Sequence, residues 1–340
     1  MLDNWSDDVF GNRSSMVRGS RVVYIYGEAV DVNNKPIWGI TGATESATLK
    51  MKGSDLFGNS YYTVTQNQEY ACRYGIPVAT KVHTTTIGTN LFGCDYKSVT
   101  ITINTPGIFE KDGRKAYLIQ SSTTTMIANW SYDVFGNRST KQQGSVVHYA
   151  YGETQDIAGN AIWGIVDENT GGDKTYEETP LIMTGKDIFG NNFTTTATNN
   201  TYDCRYGIPI ATSVTTSTTG TNLFGCDYSQ TSTTTNTPML INASGVEVAT
   251  PASGQKLAYV IKSSDTEVTA SSSTDIFGNT TTLAIGTGKG SKVTYTYGKT
   301  TGPNSENIWG ITGAVETQHM VTTGKDIFGN NFTTTATNNT

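Results

Sequence analysis

Long hydrophobic runs are missing from this 340-residue chain, and no stretch approaches the roughly 18 apolar residues that a membrane helix needs. Charge is scarce as well. Only 15% of residues are charged and the net charge is −6, so there are no Lys and Arg clusters of the kind that nucleic acid or an anionic membrane rewards. The first residues, Met1 to Ser6, carry neither a basic n-region nor an apolar h-region, and no signal peptide is visible. No amphipathic helical stretch of ten or more residues occurs, so no glycine loop opens a helix to cradle phosphate. Histidine is limited to His83, His148 and His319, whose sibling positions hold Thr215, Val23 and Pro180. These read as solvated strand residues, which leaves Ser–His and Cys–His schemes without a base. The expectation is a protein that is not an enzyme and needs no cofactor or metal.

What is abundant is threonine, glycine (36 residues) and one short motif. Asp8, Phe10, Gly11 and Asn12 set the pattern Asp-x-Phe-Gly-Asn. It returns at Asp55, Phe57, Gly58 and Asn59; at Asp133, Phe135, Gly136 and Asn137; and at Asp187, Phe189, Gly190 and Asn191. It returns again at Asp275, Phe277, Gly278 and Asn279, and at Asp326, Phe328, Gly329 and Asn330. Two variants, Asn90-Leu-Phe-Gly-Cys94 and Asn222-Leu-Phe-Gly-Cys226, bring the motifs to eight. Their spacing lies in the range of stacked arrays. The steps from Asp55 to Asp187 and from Asn90 to Asn222 are both 132 residues, so a larger unit contains three small ones.

Ile37-Trp-Gly-Ile40 recurs as Ile162-Trp-Gly-Ile165 and Ile308-Trp-Gly-Ile311, and Cys72-Arg-Tyr-Gly-Ile-Pro77 recurs as Cys204 to Pro209. The joints fall near Thr105-Pro106 and Thr237-Pro238, which divides the chain into large units over 1–106, 107–238 and 239–340, the first and last incomplete. Residues 325–340 copy 186–201 residue for residue. Stopping mid-unit without a cap reads as a window on a longer array.

Between motifs the periodicity is two. Val293, Tyr295 and Tyr297 alternate with Lys292, Thr294 and Thr296, and Val99 to Ile103 behaves likewise. Alternation of this kind marks strands with one buried face, so the fold expected is all-β: tandem hairpins stacked into an elongated solenoid, spiral sheet or filament. In the motif, Asp accepts from amides two residues on, and Gly-Asn supplies a positive φ. The central Phe is too apolar for a free tip and is expected to tuck onto the next unit, as are Trp38, Trp163 and Trp309, giving aromatic ladders. One carboxylate per motif falls short of the six or more oxygens that calcium takes.

Tyr132-Asp133-Val-Phe-Gly-Asn137-Arg138 resembles the YD-repeat (Rhs) family of polymorphic toxins, toxin-complex shells and teneurins, a match confined to the Asp-x-Phe-Gly-Asn motifs. The resemblance implies hairpins wound into a long spiralling β-sheet.

Cys72 and Cys94 enclose as many residues as Cys204 and Cys226 do. Repeat logic pairs them in that way, worth about 3 kcal/mol per staple in the chain-entropy model, and disulfides imply an oxidising, extracellular setting. Buried free thiols are the alternative; a zinc site lacks Cys-x-x-Cys spacing. Asn-x-Ser/Thr triplets begin at Asn4, Asn12, Asn129, Asn137, Asn192, Asn199, Asn242, Asn279, Asn331 and Asn338. Of these, Asn192, Asn199, Asn242 and Asn279 are taken as candidate glycosylation sites. The function expected is a structural repeat segment of an extracellular filament, fibre or shell whose partners are its own copies or neighbouring repeats. Two alternatives stay open: a cell-surface adhesin or glycan-binding stalk of tandem sandwiches, and a YD-type toxin capsule.

Overall fold

Threonine, valine and tyrosine in alternation favour the pleated, half-buried surface of a strand. A computed structural model, which describes residues 4–252, 255–284, 286–303 and 305–337, contains no helix among those residues. The first stretch holds β1 (Trp5–Asp7), β2 (Arg13–Arg18), β3 (Arg21–Val30), β4 (Pro36–Ala47), β5 (Leu49–Ser54), β6 (Ser60–Arg73), β7 (Ile76–Thr89) and β8 (Asp95–Lys111). The middle holds β9 (Arg114–Tyr132), β10 (Arg138–Gln143), β11 (Val146–Gln155), β12 (Ala161–Val166), β13 (Tyr176–Thr179), β14 (Leu181–Lys186), β15 (Asn192–Arg205), β16 (Ile208–Thr221) and β17 (Asp227–Asn242). The last holds β18 (Leu257–Thr274), β19 (Thr280–Leu283), β20 (Lys292–Thr301), β21 (Asn307–Gln318), β22 (Met320–Lys325) and β23 (Asn331–Ala336).

All the ladders are antiparallel. One continuous path runs β1–β2–β5–β6–β7–β8–β9–β10–β14–β15–β16–β17–β18–β19–β22–β23. With neighbours about 4.8 Å apart, this path has a contour of roughly 70 Å. Three tryptophan-bearing hairpins depart from it. β11–β12 lies against β9 and β20–β21 against β18, while β3–β4 forms a two-stranded sheet of its own. Thr105-Pro106 and Thr237-Pro238 lie inside β8 and β17, at register shifts that tolerate proline without a break in the sheet. Apart from β3–β4, the large units are therefore divisions of the sequence within one continuous sheet.

Successive strands place like residues side by side. Ser14, Gly53, Tyr61, Gly88, Tyr96 and Ser131 form one row across six strands, and Gly185, Phe193, Gly220, Tyr228 and Ser273 repeat it. Threonine hydroxyls pair across the strands, as in Thr63–Thr86 at 3.0 Å and Thr195–Thr218 at 2.9 Å. Bulges at Asn67 and Asn199 are satisfied by Glu45 and Glu177, whose carboxylates accept from the Asn67 and Asn199 amides at 2.6 and 2.5 Å; burial raises the pKa of Glu177. The apolar core is small: Val9, Met239, Ile241, Val260 and Trp309, with Phe10, Leu56, Ala258 and Tyr297 packed on it. The accessible surface, 18685 Å², exceeds the roughly 13,500 Å² expected of a compact monomer of this mass. The sheet is thus spread thin rather than folded onto one interior.

Candidate functional site: a seat between the two edges of the sheet

The motif turns are built alike. In the first, the Gly11 amide donates to the Asp8 carbonyl at 3.1 Å and the Asp8 amide to the Asn12 carbonyl at 3.0 Å. Asp8 Oδ1 accepts from the Phe10 and Asn12 amides at 2.8 and 2.9 Å, and Asp8 Oδ2 accepts from Asn12 Nδ2 at 2.9 Å. Gly11 takes φ +88°, the left-handed region where a Cβ is costly. This is a type I turn closed by a glycine bulge. In the variants, Asn90 Oδ1 and Asn222 Oδ1 make the same backbone bonds. Asn offers no second acceptor for a fifth-position amide, and there the fifth residue is cysteine, buried against its own turn.

Connectivity puts all eight motifs on the same edge, called the upper edge, because each ends an ascending strand and begins a descending one. Adjacent turns are two strands apart, about 9.5 Å. The opposite, lower edge carries the Tyr74-Gly75 and Tyr206-Gly207 turns and, by register, the tips of β11–β12 and β20–β21.

The ladder of buried phenylalanines does not exist. Phe57, Phe135, Phe189, Phe277 and Phe328 are exposed, as are Phe92 and Phe224 of the variants; Phe328 is 82% accessible. The turn fixes Asp and Gly and throws the third side chain outward. The sequence Asp156-Ile-Ala-Gly-Asn160 folds into the same turn with alanine in that place, so the ring is not needed for turn formation. This turn departs from the Asp-x-Phe-Gly-Asn pattern only at the third position, where alanine replaces the ring.

Phe10 is the exception, and it locates the site. Val9 and Phe10 of the first turn lie against Trp309 of the third unit: Val9 is 6% and Trp309 2% exposed, with the Phe10 and Trp309 rings stacked at 6.4 Å. The Trp309 amide donates to the Leu56 carbonyl at 2.8 Å, Asn12 Nδ2 donates to the Asn307 carbonyl at 3.1 Å, and Lys299 Nζ sits 5.1 Å over the Phe10 ring. The lower edge of the last unit therefore rests on the upper edge of the first.

The three tryptophans do not share one environment. Trp309 Nε1 donates to the Ile261 carbonyl at 2.9 Å and Trp163 Nε1 to the Ile119 carbonyl at 2.7 Å, so each hairpin is latched to its long strand. Trp163 is half-buried beside Phe109, and among the described residues no motif ring stacks on it. Trp38 is 72% exposed, contrary to the expected buried rung, because β3 pairs only with β4 and has no long strand beneath it. The glycine of the first two Ile-Trp-Gly-Ile motifs has a separate role that the sequence did not reveal. Ile40 N donates to Gly75 O at 3.4 Å, and a Cβ on Gly39 would meet Gly75 Cα at 2.7 Å, so two landmarks of the repeat exist to touch. Gly164 and Gly207 repeat the contact.

The expected disulfides are corrected: Cys72, Cys94, Cys204 and Cys226 are all free. Cys72 lies at the lower end of β6 and Cys94 at the upper edge beyond β7, a strand of 14 residues. At about 3.3 Å per residue the two are roughly 45 Å apart, where a disulfide needs Cα atoms within about 7 Å. Cys204 and Cys226 flank β16 in the same way. Burial, aided by a hydrogen bond with Asp167, pushes the Cys204 thiol up to about 12. The extracellular placement loses the support that disulfides gave it.

Among the candidate glycosylation sites, Asn192 is exposed at the start of β15. The other three have employed side chains: Asn199 Nδ2 donates to Glu177 at 3.0 Å, Asn279 Nδ2 donates to Asp275 at 3.0 Å, and Asn242 Oδ1 accepts from the Ser244 and Val246 amides. The triplet at Asn338 lies outside the described residues.

His148 is less simple than a solvated strand residue. Its Nδ1 is 2.9 Å from Thr123 Oγ1, its Nε2 is 2.6 Å from Glu178, and its ring stacks on Tyr176. Hydroxyl, imidazole and carboxylate thus stand in line. Thr123, however, is a mid-strand residue paired with Ile103 and His148, so its backbone amide and carbonyl belong to the ladders. The third unit has Thr294 bonded to Asp265 at that place, which fits a cross-strand polar pair. Among the described residues no group of three or more His, Cys, Asp or Glu is arranged to hold a metal, and no helix is long and apolar enough to cross a membrane. In comparisons with known proteins, the chain matches no family model, no curated protein and no solved structure.

Proposed function

We propose that this chain is a structural repeat segment of an extracellular filament, fibre or shell wall, in which a single β-sheet winds so that each later unit rests on an earlier one. The observation that carries the reading is the seat of Trp309 on Val9, Phe10 and Leu56, a contact of the last unit with the first that skips the unit between. A winding sheet brings its two edges together in this way, and the wound hairpin sheets implied by the YD-repeat resemblance share that geometry. The excess of accessible surface and the row of exposed phenylalanines along one edge support the same reading, since large exposed apolar patches mark association surfaces. The working partners are neighbouring repeats and copies of the chain.

Electron microscopy and small-angle scattering of the purified chain test it. The expected particle is thin-walled and curved, with a radius of gyration well above the roughly 20 Å of a compact globule of this length. A compact ellipsoid at that value sinks the proposal. The glycan-binding stalk keeps one observation in its favour: a shallow groove of Tyr62, Ile87 and Trp130 beside Arg13 and Asp95 on one sheet face. Glycan binding that vanishes in Trp130→Ala would favour it.

A further inference from the structure

The seat is filled once in this chain, and the parts for two more are exposed. On the upper edge, Val134, Phe135, Ile188 and Phe189 occupy in the second unit the positions of Val9, Phe10, Leu56 and Phe57; Ile276, Phe277, Ile327 and Phe328 occupy them in the third. All eight side chains are exposed, Ile276 by 67%, whereas Val9 is covered. On the lower edge, the β11–β12 and β3–β4 hairpins carry Trp163 and Trp38 in the register that Trp309 has in β20–β21. Trp163 is opposite Glu153 and Trp38 opposite Glu28, as Trp309 is opposite Lys299. Among the described residues no motif ring stacks on Trp163 or Trp38 as Phe10 stacks on Trp309, although the tip of β11–β12, Asp156 to Ala158, borders a cavity with Asp8, Val9 and Leu56.

We infer that a second copy of this chain docks head to tail on the upper edge. Its β11–β12 hairpin seats on the turns Asp275–Asn279 and Asp326–Asn330, and its β3–β4 hairpin on the turns Asp133–Asn137 and Asp187–Asn191. The inference rests on the reading of the sheet as wound edge on edge. It follows from the order of the filled seat: if the third unit covers the first, the next units in line cover the second and third, and the first two units of another copy supply them. Two contacts form together, which raises the effective concentration for the second once the first has formed. Donor and acceptor are different surfaces of one molecule, so the contact is heterologous and repeats without closing, as in a filament. The apolar residues that seat the hairpin are the second residue of each motif, Val9 and Leu56, and the Phe10 ring of the first, while Phe57 stays exposed. Phe92 and Phe224 belong to the variant turns, and Phe92 stays exposed even in the unit whose seat is filled.

Sedimentation of the full chain over a wide concentration range tests the docking. The expected result is a species that grows with concentration, is lost in the double variant Ile276→Glu/Ile327→Glu, and persists in the equally exposed control Phe92→Glu/Phe224→Glu. Both variants alter exposed turn positions, and a fluorotryptophan resonance for Trp309 that remains shielded shows that the internal seat is intact in each. A chain that sediments as a single copy throughout, or a seat variant that assembles like the unsubstituted protein, overturns the docking. If Trp309 is shielded in such a single copy, the wound sheet stands without the docking; if Trp309 is as accessible as Trp38, the wound sheet falls and the docking with it.

Discussion

Trp309 and Leu56 are joined by a backbone hydrogen bond of 2.8 Å, although one belongs to the third unit and the other to the first. The bond spans the edges of the sheet rather than neighbouring strands, and the indole beside it is 2% exposed. One motif, Ile-Trp-Gly-Ile, therefore exists in three states of coverage.

That gradient predicts unequal mutational costs. Trp309→Ala should lower stability by about 3–5 kcal/mol, the range for emptying a buried aromatic site. Trp163→Ala should cost less, since that ring is half-buried, and Trp38→Ala should be close to neutral. Chemical denaturation midpoints of the three variants check the order, and equal losses would contradict it.

Thiol chemistry should follow position. With four free cysteines, titration in denaturant should find four thiols without a reducing agent. In the native protein at neutral pH, Cys72, the least covered, should alkylate first. Cys204, held near 12 by burial and by its bond with Asp167, should resist until the sheet opens. Mass mapping of the alkylated peptides reads both.

The motif carboxylates give the sign of an acid effect. The side-chain amide of Asn137 foremost holds the Asp133 carboxyl below its ordinary value; burial opposes it, and the backbone amides of the turn add to the lowering. A carboxyl depressed in the folded state stabilises the fold above its unfolded value, near pH 4, and that contribution disappears as pH falls through the lower folded value. Asn137→Ala should move the Asp133 midpoint upward, and carbon-detected NMR titration measures it. An unchanged midpoint would remove the amide from the account.

Gly88 is expected to be intolerant of even one methyl group. A Cβ there would meet the Tyr96 hydroxyl at 2.6 Å and also strike the carbonyl of Ser60. Gly88→Ala should destabilise through the backbone contact, and Gly88→Ala/Tyr96→Ala should recover little of the loss. Full recovery in the double variant would place the conflict with the ring alone.

The sequence by itself determined the strands, the turns between them and the unit length, because period-two alternation and the Asp-x-x-Gly-Asn chemistry act over a few residues. The same local bonds form at Asp8, Asp156 and Asp326, whatever surrounds them. It did not determine which rings are covered. Phe10 and Phe328 sit in like turns, and Trp309 and Trp38 in like hairpins, yet one of each pair is packed and the other faces solvent, because coverage depends on what lies across the sheet. The cysteines differ from the expected pairing for a related reason: equal spacing in sequence is compatible with a closed loop, whereas an extended strand between them sets the two sulfurs at opposite edges. Local geometry is written in neighbouring residues; the meeting of distant edges is decided by the winding of the whole sheet.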